Sequence, residues 1–418
     1  MKKIFLVTMA SLLISAFSAQ AQRLTVGGYG EVALSRNFYS DNVYRYSSPT
    51  QYASDPSHGR FDIPHSVIYL GYDFGKGWSM QSEIEFEHTG SGSAVEKEFT
   101  EAGEWETEIE KGGEVELEQF WIQKTFSRAL NLRIGHIVVP VGGLNFAHEP
   151  LNFFSVYRPE GEYTILPSTW HDTGVSLWGR AGAWRYEAQV VAGLDGFMFD
   201  RDHFVHYGAS SPYEFKVANT LGYVLRVDHY TFRDFRVGLS GYYGHAMHNA
   251  YPNDMHNTRY ADVAARTFLG ALDFAYTGKR LTVRGNADFG AVQDAATLST
   301  VKRNLSSNNA PYKKTPVGRN ALAAGLEAGY DILPWLGGDP GQKLVVFSRY
   351  EYYDPYMPAA DQQDYGFTGR HRIAVGINWL PIPEIAVKAE YSERFLPTPY
   401  NDEPSLNLGI AYMAFFKK

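Results

Sequence analysis

From Leu24 to the end of the chain, apolar and polar side chains alternate in segments of about ten residues, joined in turn by a very short and a long polar connection. Alternation of this period sends successive side chains to opposite faces of a strand. The cleanest segment sets Trp78, Met80, Ser82, Ile84 and Phe86 against Ser79, Gln81, Glu83, Glu85 and Glu87. Carboxylates cannot face lipid, so that face needs water while the other can meet a bilayer. Lipid offers no partner to an unpaired backbone N–H or C=O, and only a closed ring of strands pairs them all. The pattern therefore predicts an all-β fold, a transmembrane antiparallel β-barrel of about sixteen strands.

The connections orient this barrel. Short turns belong at the periplasmic end and long loops outside, so Gly75, Ser127, Ala181, Gly278 and Pro383 mark the periplasmic rim. Phe74, Trp78, Trp184, Tyr186, Phe235, Phe274, Tyr276, Tyr330 and Trp379 lie beside these turns and read as an interfacial girdle. A soluble β-sandwich with an aromatic core is the competing reading, and it accounts for neither the loop asymmetry nor the N-terminus.

That N-terminus carries Lys2 and Lys3, an apolar run from Ile4 to Phe17, and small residues at Ala19 and Ala21. It reads as a secretory signal cleaved after Ala21, with an uncleaved anchor as the alternative. The rest, 22–418, reads as one barrel domain. Twenty-nine Tyr, 26 Phe, 8 Trp and 40 Gly supply strand and turn formers. The formal charge of -8 includes both leading lysines, so the mature chain stands near -10 (-8 minus 2), a balance that argues against nucleic acid as a partner. With no cysteine, disulfides, thiolate metal sites and cysteine nucleophiles are all excluded.

The stretch Val26, Gly27, Gly28, Tyr29, Gly30, Glu31 is similar to the first strand of Gram-negative outer-membrane porins of the sixteen-stranded general and phosphate-selective type. More specific are Val139, Pro140, Val141, Gly142, Gly143, Leu144 and Asn145, then His148, Glu149 and Pro150, onward through Arg158, Pro159, Glu162, Pro167 and Trp170; this wording resembles poorly characterised bacterial porin-like proteins. The ending departs from the family pattern, since Lys417 and Lys418 follow Phe416. The resemblance implies an outer-membrane channel for passive diffusion, often a homotrimer, in contact with membrane lipid and lipopolysaccharide and passing small hydrophilic solutes or ions. It also implies that the third long loop folds inward and narrows the lumen.

Here that loop is Pro140 to Asp172, which mixes ionisable groups with Phe146, Phe153, Phe154, Ile165 and Trp170, anchors that a solvated loop would not need. His148, Glu149, Arg158, Glu160, Glu162, His171 and Asp172 are the expected constriction residues. The alternative is that the loop only packs on the wall and pairs its charges structurally. Strand parity supplies the wall, because a cation facing the bilayer midplane costs about 2–4 kcal/mol. It places Arg133, Arg185, Arg226, Arg236, Arg284, Arg349, Arg372 and Lys388 in the lumen, along with Glu83, Glu85, Glu351, Glu390 and other acids. The two signs nearly balance, and opposed walls would favour small polar solutes over a single ion sign.

The second long loop is acidic, from Glu96 to Glu118, and reads as a charged hairpin around Gly112 and Gly113, with divalent cations bridging to lipopolysaccharide as the alternative. His245, His248, Asp254 and His256 share one loop, and His203 and His206 another, without a metal-binding spacing. Neither a metal nor another cofactor is therefore expected. No Ser, His and acid fall into an interpretable catalytic motif, so an enzyme is not expected. A lipase or protease barrel, and an adhesin or scaffold with a closed lumen, are the competing classes. Hydrolysis of lipid or peptide esters, or a barrel without conductance, would favour them respectively.

Overall fold

The computed structural model describes residues 23–88, 93–98, 106–111, 114–211, 215–249, 262–304 and 313–417. The signal segment at 1–21, Glu101, Glu104, Gly112, Gly113, Asp254, His256 and Lys418 lie outside the described residues.

The strands are β1 (Arg23–Asn37), β2 (His58–Asp62), β3 (His65–Gly75), β4 (Trp78–Glu87), β5 (Ser93–Glu98), β6 (Glu106–Lys111), β7 (Glu114–Ser127) and β8 (Leu130–Val138). After the third loop come β9 (His171–Ala181), β10 (Trp184–Val191), β11 (Gly222–Phe232), β12 (Phe235–His245), β13 (Arg266–Thr277) and β14 (Leu281–Val292). The chain ends with β15 (Asn320–Asp331), β16 (Lys343–Met357), β17 (Arg370–Ile382), β18 (Ile385–Phe395) and β19 (Glu403–Lys417). One sheet holds 17 strands: β4 pairs with β7, the strands from β7 to β19 pair in sequence order, and β1 closes the sheet by pairing with β19. β2 and β3 both pair with β1, at its loop end and its turn end, and so form one interrupted stave. The result is a closed sixteen-stranded antiparallel barrel. Ring closure leaves no sheet edge to satisfy, as a bilayer demands.

Alternation sorts the faces as parity requires. Leu70, Ile122, Ile134, Leu177, Leu239 and Leu326 are exposed on the outside, and Phe74, Trp78, Trp184 and Trp379 are exposed beside the short turns. Tyr29, Glu31, Glu83, Glu85, Arg226, Asp228 and Glu351 are buried inside. The first turn is made by Gly75, Lys76 and Gly77, all at positive φ (77°, 54° and 76°), a conformation that suits its two glycines.

Three local readings are corrected. The acidic hairpin exists, but it pairs β5 with β6, and Gly112 and Gly113 fall between β6 and β7. His171 and Asp172 do not belong to the third loop; they open β9, because the ladder continues through Val138 opposite His171 and Ile137 opposite Asp172. Glu118 belongs to β7 of the barrel and not to the acidic loop. Glu83 pairs with Gln119 and Ile84 with Leu117, so Glu118 is the extra residue of a β-bulge and turns inward beside Gln119.

An apolar core, including Ile137, Val139, Ile165, Leu194, Phe204 and Leu269, lies where the loops following β8, β10 and β14 meet the barrel wall. Its apolar burial packs these loops against the wall. The remaining lumen is lined by charge.

Candidate pore and its inward loop

The third loop, residues 139–170, is built around its own polar clasps before it touches the wall. Asn145 donates to the carbonyls of Val141 (3.0 Å) and Pro167 (2.8 Å) and accepts from the Trp170 N–H (2.9 Å), drawing the two ends of the loop together. The Glu162 carboxylate accepts the N–H groups of Leu144 (2.6 Å) and Gly143 (3.2 Å). Gly142 has φ 89°, and a Cβ there would sit 2.2 Å from Glu162 Oε1, so this clasp requires glycine. Burial, reinforced by the nearby Asp273, lifts the Glu162 carboxyl to about 7 against those two N–H bonds.

From that base the loop crosses the lumen. At the near wall Arg226 of β11 donates to the carbonyls of Gly142 (2.9 Å) and Pro140 (3.3 Å). At the far wall Lys388 of β18 donates to the carbonyls of Pro150 (2.6 Å), Ser155 (2.9 Å) and Phe153 (3.1 Å). Glu390 accepts the Val156 N–H at 2.9 Å and Glu351 the Gly161 N–H at 3.0 Å. The Glu160 carboxylate is held between Arg394 (2.6 Å) and Arg372 (3.1 Å). Burial favours the neutral Glu160 acid, but the two guanidiniums outweigh it and keep the carboxyl below its usual range. β11 and β18 lie far apart around the ring, so the loop spans the interior.

The wall cations pair chiefly with their neighbours on the wall. Arg226 and Arg236 both bridge Asp228 and Asp273, and Arg185 pairs with Glu187 and Asp228. Arg284 pairs with Glu327, Arg349 with Glu351, and Arg372 with Glu351 and Glu390 as well as Glu160. Three of these guanidiniums, of Arg226, Arg236 and Arg185, pack 4.3, 4.9 and 5.1 Å from the centre of the Phe146 ring. Arg133 stacks over Trp121 at 4.4 Å. The loop aromatics therefore seat on wall cations through ring faces as well as carbonyls.

Opposite this arginine-rich arc, the wall formed by β1, β3, β4 and β7 carries Glu31, Glu83, Glu85 and Glu118, which meet two histidines at close range and the buried loop residue Arg158, whose charge acts on Glu85, Glu118 and Glu31. His65 lies 2.8 Å from Glu31, and His171 lies 3.3 Å from Glu118. His148 is buried there against the edge of Tyr29, and Glu149 accepts from Asn152 at 2.7 Å. Asp172 is fully buried and accepts the N–H groups of Thr173 (2.8 Å) and Gly193 (3.0 Å).

The loop separates cavities at two levels of the barrel. Toward the long-loop end, 490 Å³ is lined by residues including His65, Tyr157, Arg158, Glu160 and Arg394. Toward the short-turn end, 410 Å³ is lined by Thr25, Tyr69, Gln81, Glu83, His148 and Glu149 among others. Of the expected constriction residues, Arg158 and Glu160 thus face one cavity, His148 and Glu149 the other. Glu162 lines a third cavity of 210 Å³ with Phe146, Arg236 and Asp273. His171 joins the acidic wall, while Asp172 serves backbone groups. Sequence reading left out Arg394 and misplaced Glu118. Arg394 shares the β18 face with Lys388 and Glu390 and was open to parity; the bulge that turns Glu118 inward has no periodic signature.

No family model matches the chain. An uncharacterized protein of Aquifex aeolicus (strain VF5) is 27% identical over 377 residues, which cover 88% of this chain and 75% of the relative. Among solved structures, an anion-selective porin from Comamonas acidovorans superimposes with a TM-score of 0.53 at 10% identity, covering 94% of this chain and 100% of the porin. The chain has the porin fold. The outer membrane channel DcaP of Acinetobacter baumannii gives 0.53 at 10% identity, over 94% and 98% of the two chains. OmpF of Salmonella typhi, in complex with daunomycin, gives 0.52 at 9% identity, over 94% and 97%. The fold is that of Gram-negative outer-membrane porins, and the apolar belt of this porin-fold barrel is the surface such a membrane requires.

Proposed function

We propose that this chain is a non-enzymatic outer-membrane channel through which small polar solutes diffuse passively, narrowed by the loop at 139–170. The observation that carries the reading is the span of this loop from Arg226 on one wall to Lys388 on another, with charged cavities at two levels of the lumen. An inward loop lined by ionisable groups sets both the width and the local potential of a water-filled passage. Because most wall arginines are already paired with wall carboxylates, the passage favours small solutes by size and polarity more than by ionic sign.

Vesicles containing the purified barrel test this reading with a series of sugars of rising mass. Entry of the smallest and exclusion of the largest is the expected result. Impermeability to every sugar and to salt would overturn it and leave a closed scaffold.

A further inference from the structure

Three buried side chains on the acidic wall come from three different parts of the chain: Glu83 from β4, Glu118 from the β7 bulge and His148 from the inward loop. One ligand-capable atom of each lies within 4.8 Å of those of the other two. All three are more than nine-tenths buried, at 4, 1 and 6% exposure. Among the described residues, no arginine or lysine forms an ion pair with Glu83 or Glu118, in contrast to the arginine-paired acids across the lumen.

The orientation of each group fits a ligand set. His148 Nδ1 lies 3.4 Å from the Asn145 carbonyl, which assigns the ring proton to that nitrogen, and Nε2 is buried with no hydrogen-bond partner. An imidazole fixed in this way presents a free lone pair, as metal-bound histidines do when their other nitrogen donates to a carbonyl. Tyr29 donates to Glu118 Oε2 at 3.1 Å, and Gln119 donates to Glu83 Oε2. These donors hold the carboxylates in place. The bulge at Glu118 spends one unpaired residue to bring a second carboxylate to Glu83, and bulges recur where a side chain must be re-aimed. Glu83 and His148 also line the cavity of 410 Å³, which leaves room for water beside the cluster.

We propose that Glu83, Glu118 and His148 bind a divalent transition-metal ion that fastens the inward loop to the acidic wall. One imidazole nitrogen with two carboxylates suits Zn²⁺ and its neighbours better than the all-oxygen sites of Ca²⁺ or Mg²⁺. The bound charge offsets the Glu83 carboxylate and adds to the pairing that His171 gives Glu118, and it links β4 and β7 to the loop. The proposal goes beyond channel function, since a closed barrel could hold the same ion.

The test uses the full mature barrel, folded in detergent, stripped with chelator and titrated with Zn²⁺ by calorimetry, with Co²⁺ absorption as a second readout. One ion per chain is expected. Glu118→Gln and His148→Ala should each weaken binding by at least about tenfold, the loss typical of groups that support a metal site. His245→Ala together with His248→Ala should leave it unchanged. Heat-modifiable migration checks folding, and Glu83→Gln, close in shape to the native residue, serves where His148→Ala does not fold. Absence of binding in the stripped wild type, affinity unmoved by the site variants, or affinity lost in the His245 and His248 variant would each overturn the proposal. Binding is read without conductance, so its failure is distinguishable from failure of the channel reading.

Discussion

The Arg372 guanidinium lies 3.1 Å from the Glu160 carboxylate, joining the wall strand β17 to the loop inside the barrel. The same guanidinium reaches Glu351 at 3.1 Å and Glu390 at 2.8 Å, so one residue holds carboxylates of the loop and of two other staves. Removing one partner of such a buried set leaves the others unpaired, which costs more than the pair contributes when intact.

Arg372→Met is therefore expected to destabilise the barrel by about 3–5 kcal/mol. A double-mutant cycle with Glu160→Gln should return a coupling of about 1–3 kcal/mol in lipid-vesicle unfolding. Strict additivity of the two substitutions would show that the loop does not depend on this contact.

Lys388→Met should strand the carbonyls of Pro150, Phe153 and Ser155, with a loss of about 1–3 kcal/mol. Urea unfolding of the purified barrel checks it, and an unchanged midpoint counts against the seating described.

Gly142→Ala should unseat the loop base, since the added carbon meets Glu162 Oε1 at a positive φ. Gly182, at φ 59°, has nothing within 4 Å of an added carbon, so Gly182→Ala shares the backbone strain without the clash. Open-channel current noise should rise in the first variant and not in the second. Equal noise in both would assign the effect to strain alone.

His206 links the fourth loop to the third, with its ring nitrogen 2.6 Å from the Tyr163 carbonyl and 2.9 Å from that of Leu166. Burial, aided by His203, pushes its pKa down to about 4. The unfolded chain takes up the proton near pH 6.5 and the folded one only near 4, so this contribution is complete above about pH 6.5 and is lost as pH falls toward 4. Thermal midpoints should fall over that window, and His206→Asn should flatten the fall. An equal slope in wild type and variant would place the titration elsewhere.

The strands and the inward face of the wall cations were legible because a bilayer imposes a period of two on every stave, and parity alone carries that information. Arg226, Arg349 and Lys388 stand where alternation put them. What those cations touch was legible only in part. Asp228 lies two residues from Arg226 on the same strand face, so parity alone offers that pair, whereas pairing of Arg226 with Asp273 two staves away, or of Lys388 with loop carbonyls, depends on the curvature of the wall and the path of the loop. The bulge at Glu118 shows the limit most clearly: one inserted residue reverses the face of everything before it, and no periodic signal marks the position. His171 and Asp172 likewise read as loop because a histidine and an aspartate end no apolar run, whereas the backbone ladder extends through both.

Single-channel recording in a planar bilayer, with asymmetric salt, compares the wild-type barrel directly with a variant whose loop is shortened between Leu151 and Tyr157. The wild type should conduct in discrete steps, and the shortened variant, once its folding is confirmed, should conduct in larger ones. A wild type that never conducts, or a folded variant with the same step size and reversal potential, would contradict a pore narrowed by this loop.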